Sequence, residues 1–143
     1  MDLTLTPPRS PFDTLGGVRW LPRMIDRARA SLAGTLGEYD YPTVVDRMLF
    51  EFFKTDADAF LGAVRATPKD DDLLAWLLAA RGGATPVAEI DAFNQRISSR
   101  SPAGDPEREA TFRERLAAAK CERTDITTFF QLLAVEEGYP VPQ

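Results

Sequence analysis

The chain has 143 residues, of which 44% are hydrophobic and 27% are charged, ordinary proportions for a globular protein. Its formal net charge is −5 and its pI about 4.8, so its field would repel nucleic acid and anionic membranes. No stretch approaches the roughly 20 consecutive apolar residues that a membrane span needs, and residues 1–12 lack the basic and apolar regions of a secretory signal. We therefore expect a soluble, cytoplasmic protein with neither a nucleic-acid nor a membrane partner.

The residue types present exclude several kinds of chemistry. The chain contains no histidine and one cysteine, Cys121, which excludes a serine–histidine pair, a histidine general base and a zinc cage of cysteine and histidine. A lone cysteine also excludes an internal disulfide, which fits a reducing compartment. Asp70, Asp71 and Asp72 lack the spacing of a calcium loop and suit the first turn of a helix. We expect no metal and no cofactor, and we assign no residue a catalytic role.

The N-terminal segment, residues 1–19, contains three prolines and a Gly16-Gly17 pair. Prolines remove backbone hydrogen-bond donors, so the segment predicts an extended arm that lies over the rest of the fold. Residues 2–6 alternate in polarity, but no second strong period-two segment is available to pair with them.

Apolar periodicity in residues 20–143 predicts helices. In the first helix, apolar residues recur at helical spacing from Leu21 to Leu36, with Pro22 in the first turn and Gly37 as the stop. The second helix follows Tyr41-Pro42. The other five are predicted from their start signals, which are Thr55 or Asp56, Thr67-Pro68, Thr85-Pro86, Asp105-Pro106 and Thr124-Asp125.

The fourth predicted helix carries apolar residues around much of its circumference between Leu73 and Leu78, so we expect it in the middle of the fold. Short connections between the helices favour antiparallel neighbours. The sequence thus predicts an all-α protein, a compact array of about seven short helices (20–143) with an extended proline-rich N-terminal arm (1–19). The whole chain, 1–143, is expected to form one domain.

The most unusual polar pattern lies in the first predicted helix. Arg23 and Arg27 are four residues apart on the side away from the apolar face, and Asp26 is within reach of Arg23 and Arg29. One interpretation is a surface array of ion pairs, each worth under about 1 kcal/mol. The other is a site for an anion or carboxylate, because guanidinium groups bind such groups through two parallel hydrogen bonds. Tyr39 would then line its wall.

The same region carries a family resemblance. The matching segments run in order along nearly the whole chain and are Pro7-Pro8-Arg9-Ser10-Pro11, Leu15-Gly16-Gly17, Leu21 to Arg29, Gly34 to Tyr39 and Thr124-Asp125-Ile126-Thr127. The sequence resembles a bacterial family of small proteins labelled domain of unknown function 5069. It departs from the family at residues 42–46, where a Cys-Pro-Leu-Asp type of stretch is expected in relatives. The resemblance implies a stand-alone bacterial cytosolic protein and brings no activity with it.

Two classes of function are open at this point. The leading hypothesis is a non-enzymatic domain that binds a small anionic ligand or a partner protein. Its site would be formed by Arg23, Asp26, Arg29, Glu38, Tyr39 and Asp46. The alternative is an enzyme that acts on a small molecule through carboxylate, tyrosine or arginine groups, without a metal or histidine. Its acids would be Asp26, Glu38 and Asp46.

Self-association is a further hypothesis. Three apolar residues lie off the main apolar faces of their predicted helices, namely Phe50, Leu132 and Val135. Full burial of such a side chain stabilises by about 1.5–3 kcal/mol, enough to favour an interface between two copies of the chain.

Overall fold

The fold is built around one helix that is buried on nearly every side. The computed structural model describes residues 1–142, which contain seven helices and one small hairpin. The central helix α1 (Leu21–Ala33) follows the hairpin strands β1 (Thr14–Leu15) and β2 (Val18–Arg19). The other helices are α2 (Val44–Phe52), α3 (Ala57–Ala66), α4 (Asp70–Arg81), α5 (Val87–Ser98), α6 (Pro106–Ala118) and α7 (Phe129–Glu137). This architecture confirms the predicted all-α class. Within the described residues, no helix is long and apolar enough to cross a membrane.

Helix α1 supplies the centre of the main hydrophobic core. Its apolar side chains Leu21, Met24 and Ile25 have no exposed surface, and side chains from α2, α3, α4, α5 and α7 pack in the same cluster. The helix ends at Gly34, whose left-handed φ of 70° suits a residue without a side chain. It therefore stops earlier than the predicted Gly37.

A second, smaller hydrophobic cluster joins α6 to α7. Its buried members are Phe112, Ile126 and Leu132. Leu132 lies on α7, and another residue of this helix, Phe130, belongs to the main core instead. Helix α7 thus lies between the two clusters, and α6 is held through it.

The predicted extended arm is not confirmed, because residues 1–19 form turns and a short hairpin. Gly16 and Gly17 adopt positive φ angles of 59° and 82° in the turn between β1 and β2. Asn94 of α5 fixes this hairpin by donating to the Gly17 carbonyl (2.8 Å) and accepting from the Arg19 N–H (2.9 Å). Each strand has only two residues, too few to show an alternating pattern in the sequence.

Helix α4 differs from its prediction in two respects. It begins at Asp70 and not at Thr67-Pro68, and it is not central. Only Leu73 and Leu77 are buried, because one face of the helix packs on the core and the rest faces outward. Apolar residues around its circumference are therefore partly exposed, as surface apolar residues often are.

The apolar residues that suggested self-association are used inside the chain. Phe50 is buried and its ring lies 5.7 Å from that of Phe60 of α3. Leu132 and Val135 both belong to the smaller cluster between α6 and α7. Phe50 and Leu132 are therefore not available to a second copy, whereas Val135 is partly exposed and self-association stays a prediction.

Helix caps show where local sequence signals succeed and where they fail. The predicted caps Asp56 and Asp105 are confirmed, since each side chain accepts a hydrogen bond from a first-turn backbone N–H. Helix α7 instead begins after Thr128, and not at Thr124-Asp125. The Thr128 hydroxyl accepts from the Gln131 backbone N–H at 3.2 Å, and the Gln131 side-chain oxygen accepts from the Thr128 backbone N–H at 3.0 Å.

We expect Thr128→Ala to lower the free energy of unfolding by about 1 kcal/mol, because it removes this cap. The matched control is Thr124→Ala, which changes an exposed threonine that caps no helix and should have little effect. Urea denaturation followed by circular dichroism measures both. A larger loss for Thr124→Ala would show that α7 begins where the sequence alone places it.

Candidate functional site

The polar face of α1 is buried. Arg23 and Arg27 are each 2% exposed and Asp26 is 1% exposed, so the interpretation as a surface array of ion pairs is wrong. An ionised side chain is costly to bury unless it is paired and hydrogen-bonded. Each of these three charges has a partner on a different part of the chain.

Arg27 pairs with Asp46 of α2, whose side chain is fully buried. The Arg27 guanidinium donates to both carboxylate oxygens of Asp46, and it also donates to the Asp40 carbonyl at 3.1 and 2.8 Å. Asp46 accepts from the Trp20 indole N–H (2.8 Å) and from the Thr43 backbone N–H (2.7 Å). One carboxylate therefore caps α2, orients Trp20 and neutralises Arg27.

Arg23 pairs with Glu137, the last residue of α7. Two parallel hydrogen bonds of 2.7 Å join the guanidinium to the carboxylate. The guanidinium also donates to the Arg9 carbonyl (3.2 Å) and lies 5.2 and 5.8 Å from the ring centroids of Trp20 and Tyr39. The charge of Arg23 is thus paired within the fold, while its buried Nε–H has no hydrogen-bond partner among the described residues.

Asp26 pairs with Arg9, and not with its helical neighbours Arg23 and Arg29. It accepts from the backbone N–H of Arg9 (2.8 Å) and from its guanidinium (3.0 and 3.1 Å). Arg9 also binds Asp70 of α4 (2.7 Å), and Arg29 binds the same carboxylate (2.9 Å). Spacing along α1 predicted that the partner of Asp26 would be an arginine of the same helix. The partner is instead an arginine of the N-terminal segment.

The structure divides the six predicted site residues. Arg23, Glu38 and Tyr39 line a cavity of about 600 Å³, and Asp46 is hydrogen-bonded to three further residues of its lining. Asp26 and Arg29 line neither this cavity nor the groove described below.

The acids of the enzyme hypothesis are not brought together. Asp26 and Asp46 are buried in separate ion pairs, and Glu38 is exposed. None of these three acids is therefore placed beside another as a pair of catalytic carboxylates would be. Within residues 1–142, no three cysteine or carboxylate side chains are grouped as a metal site would need.

We call the 600 Å³ cavity the polar cavity. Its lining is Trp20, Arg23, Arg27, Glu38, Tyr39, Asp40, Thr43, Arg115, Leu133, Glu136 and Glu137. All three guanidinium groups in this lining are paired with carboxylates, whereas Glu38 and Asp40 form no ion pair within the described residues. Burial and the nearby Glu137 raise the pKa of Tyr39, so its hydroxyl is uncharged at neutral pH. The free charge of the polar cavity is negative and does not favour an anion.

Beside the polar cavity lies a groove of about 520 Å³, formed by α6, α7 and the start of α2. We call it the apolar groove, and most of its lining is hydrophobic, namely Trp20, Val44, Val45, Phe112, Phe129, Phe130 and Leu133. Its polar lining is Thr43, Arg100, Glu107, Arg108, Thr111 and Arg115.

The charged side chains of this groove are three arginines and one carboxylate, Glu107, which forms no ion pair within the described residues. Arg100 forms no ion pair in the described part of the chain, and Arg108 approaches only the exposed Asp105, at 3.6 Å. Arg115 is paired with Glu136. The sequence did contain a signal for this site, because Arg108, Phe112 and Arg115 recur at i, i+4 and i+7 and therefore share one face of α6.

We expect Asp46→Asn to lower the free energy of unfolding by about 3–5 kcal/mol, because it leaves the buried charge of Arg27 without a counterion. The matched control is Asp125→Asn, which breaks the exposed Arg123–Asp125 pair and should change stability little. Thermal and urea denaturation measure both variants. Equal stability of the two variants would contradict the importance of the buried pair.

The ion pairs of Asp70 predict a pH dependence of stability. Burial alone would raise the pKa of Asp70, but the hydrogen bonds and charges of Arg9 and Arg29 hold it below its ordinary value of 3.8. Because the pKa is lower in the folded state, the stabilisation by Asp70 is fully present above about pH 4 to 5 and is lost as the pH falls through the lowered pKa. The stability difference between wild type and Asp70→Asn should therefore shrink below about pH 4.

Urea denaturation at a series of pH values measures this difference. Asp71→Asn is the matched control, since Asp71 lies in the same first turn of α4 but is exposed and forms no ion pair within the described residues. A difference for Asp70→Asn that stays constant down to pH 2, or that equals the difference for Asp71→Asn, would contradict the prediction.

Comparison with known proteins identifies the family. No curated protein matches the chain. The sequence profile of a family described as a domain of unknown function, DUF5069, matches residues 5–139, which include all six predicted site residues and the whole lining of both cavities. The chain therefore belongs to the DUF5069 family of unknown function.

Proposed function

We propose that the protein is a non-enzymatic binding domain for a small amphipathic anion. The apolar part of the ligand would lie in the apolar groove, and its carboxylate would meet the arginines at the rim. The observation that carries this proposal is the position of Arg100 and Arg108, two guanidinium groups without a strong counterion beside an apolar groove.

The dimensions and chemistry of the groove support a small ligand. Pockets for small molecules usually measure about 300–1,000 Å³ and combine an apolar lining with a few polar groups, as this groove does at about 520 Å³. An arginine binds a carboxylate through two parallel hydrogen bonds, which fixes its orientation as well as its affinity. An anionic ligand therefore suits the groove better than the polar cavity, where the arginines are already paired.

An enzyme that uses carboxylate, tyrosine or arginine groups has less support, because Asp26 and Asp46 are each held in a buried ion pair and Glu38 is exposed. The acidic net charge supports a ligand or partner other than nucleic acid or an anionic membrane. The single cysteine and the family resemblance support a role in the bacterial cytoplasm.

Decanoate is a suitable probe because it combines an apolar chain with one carboxylate. We expect it to bind the wild-type protein and to shift backbone amide resonances of α6 and α7 in an NMR titration. The double variant Arg100→Gln/Arg108→Gln should bind it roughly tenfold more weakly, because a hydrogen bond to a charged group is lost.

The matched control is Arg47→Gln/Arg65→Gln, which removes the same charge from exposed positions outside the groove. This variant should bind decanoate as the wild type does. No binding to the wild type, or equal weakening in the two double variants, would overturn the proposed function.

A further inference from the structure

The structure also indicates how far the ligand extends, an inference that rests on the proposed function. We propose that the natural ligand passes from the apolar groove into the polar cavity and places an amine there. The ligand class is then a chain with a carboxylate at one end and an ammonium group at the other.

The two cavities meet at a shared wall. Trp20, Thr43, Arg115 and Leu133 line both of them, and Glu136 lines the polar cavity. The Arg115–Glu136 ion pair therefore lies at the junction. A ligand that reaches from one cavity into the other must move this pair.

The pair at the junction is the part of the wall that can move. The side chains of Arg115 and Glu136 are 41% and 28% exposed, and ion pairs that contact solvent contribute little to stability. Trp20, by contrast, is held by its hydrogen bond to Asp46 and is stacked on Phe130 with 5.0 Å between ring centroids. The shared wall thus combines a fixed aromatic side chain with a partly exposed ion pair.

The charges of the two neighbouring cavities are opposite. The lining of the apolar groove carries three arginines against one carboxylate, Glu107. Arg100 forms no ion pair in the described part of the chain, and Arg108 forms only the exposed pair with Asp105. The polar cavity has two carboxylates outside any described ion pair, Glu38 and Asp40, and Glu136 would join them when Arg115 moves. An ammonium group is therefore the end of the ligand that suits the polar cavity.

An NMR titration with two series of chains tests the inference. One series runs from hexanoate to dodecanoate, and the other consists of the ω-amino acids of the same lengths. Above a threshold length, we expect the ω-amino acid to bind roughly tenfold more tightly than the plain acid, and below it no more tightly. Only the longer ω-amino acids should shift the amides of residues 38–43 and the Arg115 Nε–H resonance, which is assigned by its loss in Arg115→Lys.

Two variants locate the amine. Glu38→Gln/Asp40→Asn should abolish the gain of the ω-amino acids over the plain acids, because it removes the carboxylates that would bind the ammonium group. The matched control, Asp91→Asn/Glu114→Gln, changes the net charge equally at exposed positions outside both cavities and should keep the gain.

The outcomes separate this inference from the proposed function. One result would overturn this inference alone. In it, plain acids bind in a manner that depends on Arg100 and Arg108, but dicarboxylic acids bind as tightly as ω-amino acids, or the amide resonances of residues 38–43 do not shift. The inference is then wrong and the proposed function stands. If neither series binds, both are wrong.

Discussion

The buried ion pair between Arg27 and Asp46 is the interaction on which the rest of the structure depends. Asp46 satisfies the Trp20 indole, the first turn of α2 and the Arg27 guanidinium at the same time. A buried pair of this kind adds little net stability compared with apolar residues, but breaking it leaves a charge that nothing else can neutralise. The pair therefore selects one arrangement of α1 and α2, and this arrangement places Trp20 in the wall of both cavities.

The other buried charges of α1 also hold other parts of the chain against this helix. Arg23 joins α1 to Glu137 of α7, and Asp26 joins it to Arg9 of the N-terminal segment. Because each charge is used to hold another element in place, none is free to recognise an anion. The proposed recognition is assigned to arginines outside this network, Arg108 on α6 and Arg100 in the connection between α5 and α6. The separation of structural charges from free charges decides which cavity suits which end of a ligand.

The sequence predicted the features that depend on neighbours along the chain. The seven helices follow from apolar periodicity, and the caps at Asp56 and Asp105 from side chains that reach the next turn. The partners of the buried charges could not be predicted, because Glu137 lies 114 residues after Arg23. Without that partner, spacing alone places Arg23 on an exposed face. The candidate site was therefore located in part, with Arg23, Glu38 and Tyr39 in one cavity, while the apolar groove was missed.

The groove exists because α6 has too few apolar residues to pack on both of its neighbours. Its one buried side chain, Phe112, belongs to the smaller cluster with Leu132 of α7 and Ile126 of the preceding loop, so α6 is anchored on that side. Toward α2 it presents arginines, whose long side chains cover apolar surface while their charged ends stay in water. An apolar residue at Arg108 would allow the gap to close, as packing in protein interiors requires. In the sequence, the charged residues of α6 are typical of a solvent-exposed helix. In the structure, they keep the groove open.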